Sequence, residues 1–419
     1  MSGAAPTVWR TLDGLRYGAL ALPLAFLSLP LYVTLPSHYA ANFGMPLALL
    51  GFILLATRAL DALADPFIGQ ALDRVFARAG RSALGLAGVA ACGVAAGFAA
   101  LFFPAVGAQW LPLWLAATLL LTYLSFSVLA VLHQAWGARL GGDAAQRARI
   151  VAWREGLGLV GVLVASVLPG LFGMGLTTAV LAALLLAGLA FLSVAPRGLS
   201  ATHTAHLHWA LPWRNPRFRT LLGVFMLNGI ASAIPATLVL FFVRDRLQAS
   251  EGEGMFLGAY FLCAALSTPL WVRAVRALGL VRCWLLGMAL AITAFSAVLA
   301  LGAGDSTGFL AVCCLSGLAL GADLTIPGAL LTGVIQRAGH GAQAEGVYLG
   351  WWNSATKLNL ALAAGAALPL LDWAGYAPGQ RDAQALNALS LAYVAVPCAL
   401  KLMAAALLVR AWKTTKGFE

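Results

Sequence analysis

Charge is what this chain has least of. Only 10% of its 419 residues are Asp, Glu, Lys or Arg, against about 25% in soluble domains. That excludes a soluble globular protein. A hydrophobic share of 61% and a mean hydropathy of +0.88 point instead to a polytopic membrane protein. Acids are scarcer than bases, which gives a net charge of +11. The bases are scattered between apolar runs, so no nucleic-acid partner is expected and the surplus reads as a topology signal. Cysteine is thin as well. The six all fall in apolar segments without paired spacing, which argues against a disulfide framework and a metal site and leaves them as small buried side chains. No cleavable leader is evident: Arg10 and Arg16 precede an apolar run without a small-residue cleavage site, so that run is expected to stay as the first helix. The wealth of Ala, Leu and Gly, and of Arg over Lys, suggests a bacterium with a GC-rich genome.

What is present is a series of apolar runs. A bilayer core takes about 20 apolar residues per helix. On that rule twelve spans are expected, approximately 15–35, 45–68, 82–103, 110–133, 151–172, 177–195, 219–243, 254–272, 281–301, 307–334, 344–370 and 387–411. Pro23, Pro30, Pro235 and Pro327 lie inside them and should kink them. With the N-terminus inside, 19 of the 26 Lys and Arg residues fall in cytoplasmic segments and 3 (Arg244, Arg246 and Arg381) fall outside. That bias puts both termini in the cytoplasm.

The longest polar connection runs from Pro196 to Phe218. It divides the chain into an N-terminal six-helix bundle (1–195), a cytoplasmic central loop (196–218) and a C-terminal six-helix bundle (219–419). Trp209 and Trp213 beside Arg214 and Arg217 suggest a piece lying in the membrane interface. His203, His206 and His208 are close enough to chelate a metal, but no acid or cysteine completes a site and a solvated linker is the plainer reading. The two halves read as a degenerate repeat. LADPFIGQALDR in the second span has a weak counterpart, LSTPLWVRAVRA, in the eighth, where Pro269, Thr268 and Ala264 stand opposite Pro66, Asp65 and Asp61. Cation chemistry is therefore expected in the first half.

Asp61 and Asp65 are four residues apart inside the second span, which puts both carboxylates on one helix face, with Arg58 a turn earlier. A charge at the centre of a membrane helix costs roughly 2.5–3.5 kcal/mol. An internal Arg58–Asp61 pair that only locks helices is the bland alternative, but one arginine cannot neutralise two acids. Two neighbouring carboxylates resist joint ionisation unless a proton or metal ion sits between them. The residues read as a cation site.

Four stretches then stand together: Arg58-x-x-Asp61-x-x-x-Asp65-Pro66 with Asp73 and Gly80-Arg81 beyond it, Gln146-Arg-Ala-Arg-Ile-Val-Ala-Trp-Arg154, Gly346-Val-Tyr-Leu-Gly-Trp-Trp-Asn-Ser-Ala-Thr-Lys357, and Gly375-Tyr-Ala-Pro378. Spread over most of the chain, they resemble landmarks of the glycoside–pentoside–hexuronide:cation symporters, the melibiose-permease-like branch of the major facilitator superfamily. The resemblance implies an all-α integral membrane fold of 12 transmembrane helices in two six-helix bundles. It also implies a central cavity open to one side at a time, and solute movement coupled to Na⁺, Li⁺ or H⁺. By position, Asp61 and Asp65 would bind the coupling cation, with Lys357 as charge partner and Asn353 within reach. Arg154 and Trp136 would contact the solute, while Asp73, Arg74, Gly80 and Arg81 would form a gating loop; Trp352 is a further candidate for solute contact, as are Gln134 and Asp323, which depart from the family pattern. The plainer readings are an interface anchor for Trp136, a pairing with Glu155 for Arg154, and snorkelling for Lys357.

The departures from the family pattern bear on the solute. Sugar-binding relatives grip hydroxyls with acids in helices 1 and 4, yet no Asp or Glu lies between Asp13 and Asp61 or between Asp73 and Asp143. Ala64 stands where the melibiose-permease pattern has Asn, and Thr332-Gly-Val-Ile-Gln-Arg337 replaces an acidic end of helix 10, within which Asp323 appears. A cavity stripped of acids suits a lysolipid or other amphiphile as well as a sugar. The expectation is a monomeric secondary active transporter of the bacterial inner membrane, surrounded by lipid. It would carry a sugar- or glycoside-like solute, or a lipid-like one, without metal or other cofactor. H⁺ is favoured over Na⁺ because Na⁺ wants about five or six oxygen ligands, more than two carboxylates supply. The competing classes are an integral-membrane enzyme, which lacks a nucleophile–base pair or metal signature, and a sensor that binds without translocating, for which a buried Asp–Asp–Lys set would be costly.

Overall fold

The computed structural model describes residues 9–78, 80–197, 208–373, 376 and 382–414, and among them the regular structure is helical, with no strand. The α-helices are α1 (Thr11–Gly18), α2 (Ala21–Phe26), α3 (Leu35–Phe43), α4 (Leu47–Arg78), α5 (Gly80–Phe102), α6 (Leu111–Arg139), α7 (Ala144–Ser193), α8 (Pro216–Phe241), α9 (Glu253–Leu278), α10 (Leu280–Ala297), α11 (Ser306–Arg337), α12 (Glu345–Trp373) and α13 (Ala383–Thr414).

Three expected spans take a different form. The first is broken into α1, α2, a π-helical turn at Pro30–Thr34 and α3, with Pro30 opening the turn. Proline lacks an N–H and its ring clashes with the carbonyl four residues back, so a run that reads as one rod folds as several. The fifth and sixth expected spans are continuous in α7 and meet at Gly173, whose φ of 73° and ψ of 173° suit glycine alone. Pro235 and Pro327 remain inside α8 and α11. Gly375, Ala377, Pro378 and Arg381 lie outside the described residues.

Eight helices among the described residues are long and apolar enough to cross a bilayer. The 32-residue α4 carries Arg58, Asp61 and Asp65 in its interior. Helix faces that leave the protein are apolar, with Phe52, Leu63 and Leu186 each about two-thirds exposed. Cys92 belongs to such a face and is exposed, while Cys283 and Cys313 are buried. The expectation of six buried thiols is therefore corrected: an apolar run predicts immersion in the membrane, where one side of each helix meets lipid.

The chain forms two compact units, residues 1–211 with 337–354 and residues 212–336 with 355–419. In the first, α1 and α2 pack on α7, and α4 and α5 pack on α6. In the second, α8 and α10 pack on α13, and an aromatic core stacks Phe242 on Tyr393 at 4.6 Å with Phe256 edge-on to Phe309 at 5.0 Å. The helix α12 is divided, with Glu345–Ser354 in the first unit and the remainder in the second.

Candidate cation and solute sites

Ile53, Thr57, Asp61, Asp65, Gly69 and Asp73 follow one another at four-residue steps along α4 and all are buried, whereas Leu60, Leu63 and Phe67 are exposed. At about 3.6 residues per turn these positions form a buried stripe that winds slowly around the helix, with an apolar back. Both acids are 0% exposed.

Asp61 is held by its own helix and by α6. Ser127 donates its hydroxyl to Asp61 Oδ1 at 2.6 Å, and Arg58 Nη1 lies 3.3 Å from Oδ2. The Arg58 guanidinium also stands 5.2 Å from the centroid of the Tyr123 ring. The bland Arg58–Asp61 pair thus exists, joined by a hydroxyl donor from another helix. Lys357 belongs to the second unit and is 8% exposed. Asn353 Oδ1 accepts from Gln134 Nε2 at 3.0 Å, so residues expected at the cation and solute sites respectively are brought together.

Twelve residues beyond Asp61, the same stripe ends in a clasp. Asp73 Oδ1 accepts from the Gly346 amide at 2.8 Å and Oδ2 from the Val347 amide at 2.9 Å, so its carboxylate caps the start of α12. Arg139 Nη2 bridges Asp73 Oδ1 at 3.2 Å and Glu345 Oε2 at 3.3 Å, with its guanidinium 4.2 Å from the Phe76 ring centroid. Gly69 and Gly346 let the two backbones touch, since a Cβ on Gly69 would meet the Gly346 carbonyl oxygen at 1.9 Å. A bilayer core holds about 20 residues of a helix, which leaves Asp73 on the flank, past residue 68. Burial pushes its carboxyl up to about 7, against the lowering effects of Arg139 and the two amides. Arg74 is exposed, and Gly80 and Arg81 open α5, where their side chains lie outside the described residues.

The expected solute residues are placed as follows. Arg154 donates from Nη2 and Nε to Glu155 Oε1 at 2.6 and 3.0 Å, and reaches the Tyr17 hydroxyl. The Trp136 indole is buried, donating to the Pro196 carbonyl at 2.9 Å with its ring 6.3 Å from Phe76. Trp352 is buried. His133 packs on Tyr17 at 4.5 Å with its Nε2 2.8 Å from the Tyr17 carbonyl, as a satisfied interior histidine. Of the loop histidines, His208 accepts from the Ala210 amide, while His203 and His206 lie outside the described residues. Among the described residues no three His, Cys, Asp or Glu side chains gather as a metal site.

Asp323 lies in the second unit within a network that the sequence reading missed. Lys401 Nζ is 3.0 Å from Asp323 Oδ2 and 2.8 Å from Asn228 Oδ1. The signal was a lysine and an asparagine in the middle of apolar runs, the same anomaly that exposes Asp61.

The family described as MFS/sugar transport protein matches the chain over residues 16–415. The inner membrane symporter YicJ of Escherichia coli (strain K12) is 24% identical over 277 residues, 61% of this chain and 60% of that protein, so the match spans about three-fifths of the relative. Among solved structures, a bacterial homologue of the iron transporter ferroportin in its outward-facing state superposes with a TM-score of 0.72 at 18% identity, covering 97% of this chain and 100% of the other. The human organic anion transporter MFSD10 (TETRAN) superposes with a TM-score of 0.68 at 18% identity and the same coverage. At these identities the likeness is one of fold.

Proposed function

The chain belongs to the MFS/sugar transport protein family, and from that membership we propose that it is a cation-coupled secondary transporter of a sugar- or glycoside-like solute. It works by alternating access in a bacterial inner membrane, as a monomer of twelve spans with both termini cytoplasmic. Residues 1–195 and 219–419 form its two bundles, joined by 196–218. The observation that carries the reading is the pair Asp61 and Asp65, one turn apart and fully buried in a long, mostly apolar helix. Such a pair is costly as packing and useful as a site whose charge changes when a cation enters. Lys357 supplies the counter-charge that the family resemblance assigns to it. The clasp of Asp73 and Arg139 on the start of α12 serves as a gate that closes and releases during the cycle.

The scarcity of acids in α1–α3, α5 and α6 supports an amphiphile as a second reading of the solute. Purified protein screened by thermal shift against sugars, glycosides and lysolipids, with and without Na⁺, separates the two. Asp61→Asn and Asp65→Asn should each abolish uphill accumulation while leaving folded protein in the membrane. Full accumulation by both would remove the cation site from α4.

A further inference from the structure

Four side chains from four helices meet in the second unit: Asn228 of α8, Trp284 of α10, Asp323 of α11 and Lys401 of α13. Lys401 Nζ donates to Asp323 Oδ2 at 3.0 Å and to Asn228 Oδ1 at 2.8 Å. Asn228 Nδ2 and Trp284 Nε1 both donate to Asp323 Oδ1, at 3.0 and 2.9 Å. Asp323, Asn228 and Lys401 therefore close a ring, and Trp284, itself fully buried, braces the carboxylate.

The charge of this ring sums to zero, so unlike the acid pair of α4 it calls for no coupling ion. Stability is a weak reason for it, because a buried ion pair stabilises no more than apolar side chains of the same volume. Two bonding positions stay open. An ammonium carries three donors, and the third N–H of Lys401 meets no acceptor among the described residues. Asp323 Oδ2 accepts one bond among the described residues, where a carboxylate oxygen takes two. Both openings belong to the atoms of a single contact, 3.0 Å apart, whose side chains keep 7% and 13% of their surface accessible.

We propose that this contact is a hydroxyl-binding subsite for the transported solute. One hydroxyl fills both openings, with its O–H donating to Asp323 Oδ2 and its oxygen accepting from Lys401 Nζ. The network stays neutral when it binds. A carboxylate would bring a second negative charge against Asp323, and an ammonium a second positive charge against Lys401, each uncompensated where desolvation is expensive. The inference rests on the transport reading and narrows it. A neutral polyhydroxylated solute fits the subsite, and a solute whose polar end is a lone charge does not.

Thermal-shift titrations of the purified full-length protein with p-nitrophenyl α-galactoside, p-nitrophenyl β-glucoside and p-nitrophenyl β-glucuronide test it. A neutral glycoside should raise the Tm of the wild type. The apolar double variant Asp323→Leu/Lys401→Met should fold and bind that glycoside at least tenfold more weakly. Equal binding by wild type and double variant overturns the subsite and leaves the transport reading standing. A shift from the glucuronide alone, lost in the double variant, overturns the choice of a hydroxyl in favour of a carboxylate. No shift from any of the three with wild type overturns the proposal together with the glycoside reading. Should the double variant not fold, Lys401→Arg keeps the pair but alters the reach of the donor. It should show the same tenfold loss, and an unchanged affinity would overturn the subsite.

Discussion

Ser127 and Asp61, 66 residues apart in the chain, are joined by a 2.6 Å hydrogen bond in which the hydroxyl donates to the carboxylate. Ser127 is 1% exposed and Asp61 0%, so no bulk water replaces the bond if it is lost. A hydrogen bond to a charged acceptor contributes about 1.5–3 kcal/mol. The acid that the sequence singles out is thus held by a serine from another helix.

Ser127→Ala should therefore shift the cation concentration for half-maximal transport by about tenfold, the equivalent of about 1.4 kcal/mol, without abolishing transport. The measurement is solute uptake by proteoliposomes as a function of cation concentration. A curve that superimposes on the wild type would reduce Ser127 to a packing residue.

The clasp at Asp73 gives a prediction with a definite sign. Burial raises its carboxyl from 3.8 to about 7 in the clasped structure, while a released, solvated Asp73 returns to the ordinary range. The clasped state therefore binds the proton more tightly. Its proton-linked stability is full below about pH 4 and is lost as pH rises through about 7. Hydrogen exchange at the Gly346 and Val347 amides, which Asp73 holds, should accelerate between pH 6 and 8 by more than the intrinsic chemistry of exchange. Asp73→Ala should expose the same amides at any pH by at least tenfold, since it strips two donors and Arg139 of their acceptor. Exchange that tracks the intrinsic rate in both proteins would show that Asp73 holds nothing shut.

How much of this was legible follows from what sequence anomalies can reveal. Asp61 and Asp65 were visible because a charge inside an apolar run has no cheap explanation, and their shared face followed from helical spacing alone. Arg139 was invisible in its true role. It sits just past the end of an apolar run, where an arginine reads as a topology signal, yet it is 5% exposed and bridges two acids that come from α4 and the start of α12. Lys401 stands inside an apolar run, but its partner Asp323 is 78 residues away on another helix, and only the fold joins them. Contacts of that range leave no trace in spacing. The break of the first span was half legible: its prolines announced kinks, but whether a kink bends a rod or divides it depends on neighbours that the sequence does not place.

Topology can be checked directly. The excess of Lys and Arg in the segments assigned to the cytoplasm, 19 against 3, is the basis of the proposed orientation with both ends inside. A reporter fused after residue 416 and another inserted near Ala105 should lie on opposite sides of the membrane. The same side for both would break the expected order of spans.

The final prediction is that H⁺, not Na⁺, is the coupling ion. Na⁺ would need about five or six oxygens, by analogy with the shells of other hard cations. Around Asp61 and Asp65 the described side-chain oxygens are aimed at protein partners. The Ser127 hydroxyl donates to Asp61, and the Thr57 hydroxyl is turned back on the Ile53 carbonyl at 2.7 Å. Ala64 offers no side-chain oxygen beside Asp65, and the buried Leu129 offers none from α6. Asn353, which could have supplied an amide oxygen, has it bonded to Gln134. A proton needs no shell, because one bond to one carboxylate oxygen is enough. Proteoliposomes under an imposed pH gradient without Na⁺ should accumulate solute, and a Na⁺ gradient at constant pH should not. Uptake driven by the Na⁺ gradient alone would reverse the assignment of the ion and leave Asp61 and Asp65 as its site. In that case the remaining lone pairs of the Ser127 and Asn353 oxygens would complete the shell, and Asn353→Ala would then weaken Na⁺ dependence, where under proton coupling it should leave the pH dependence of uptake unchanged.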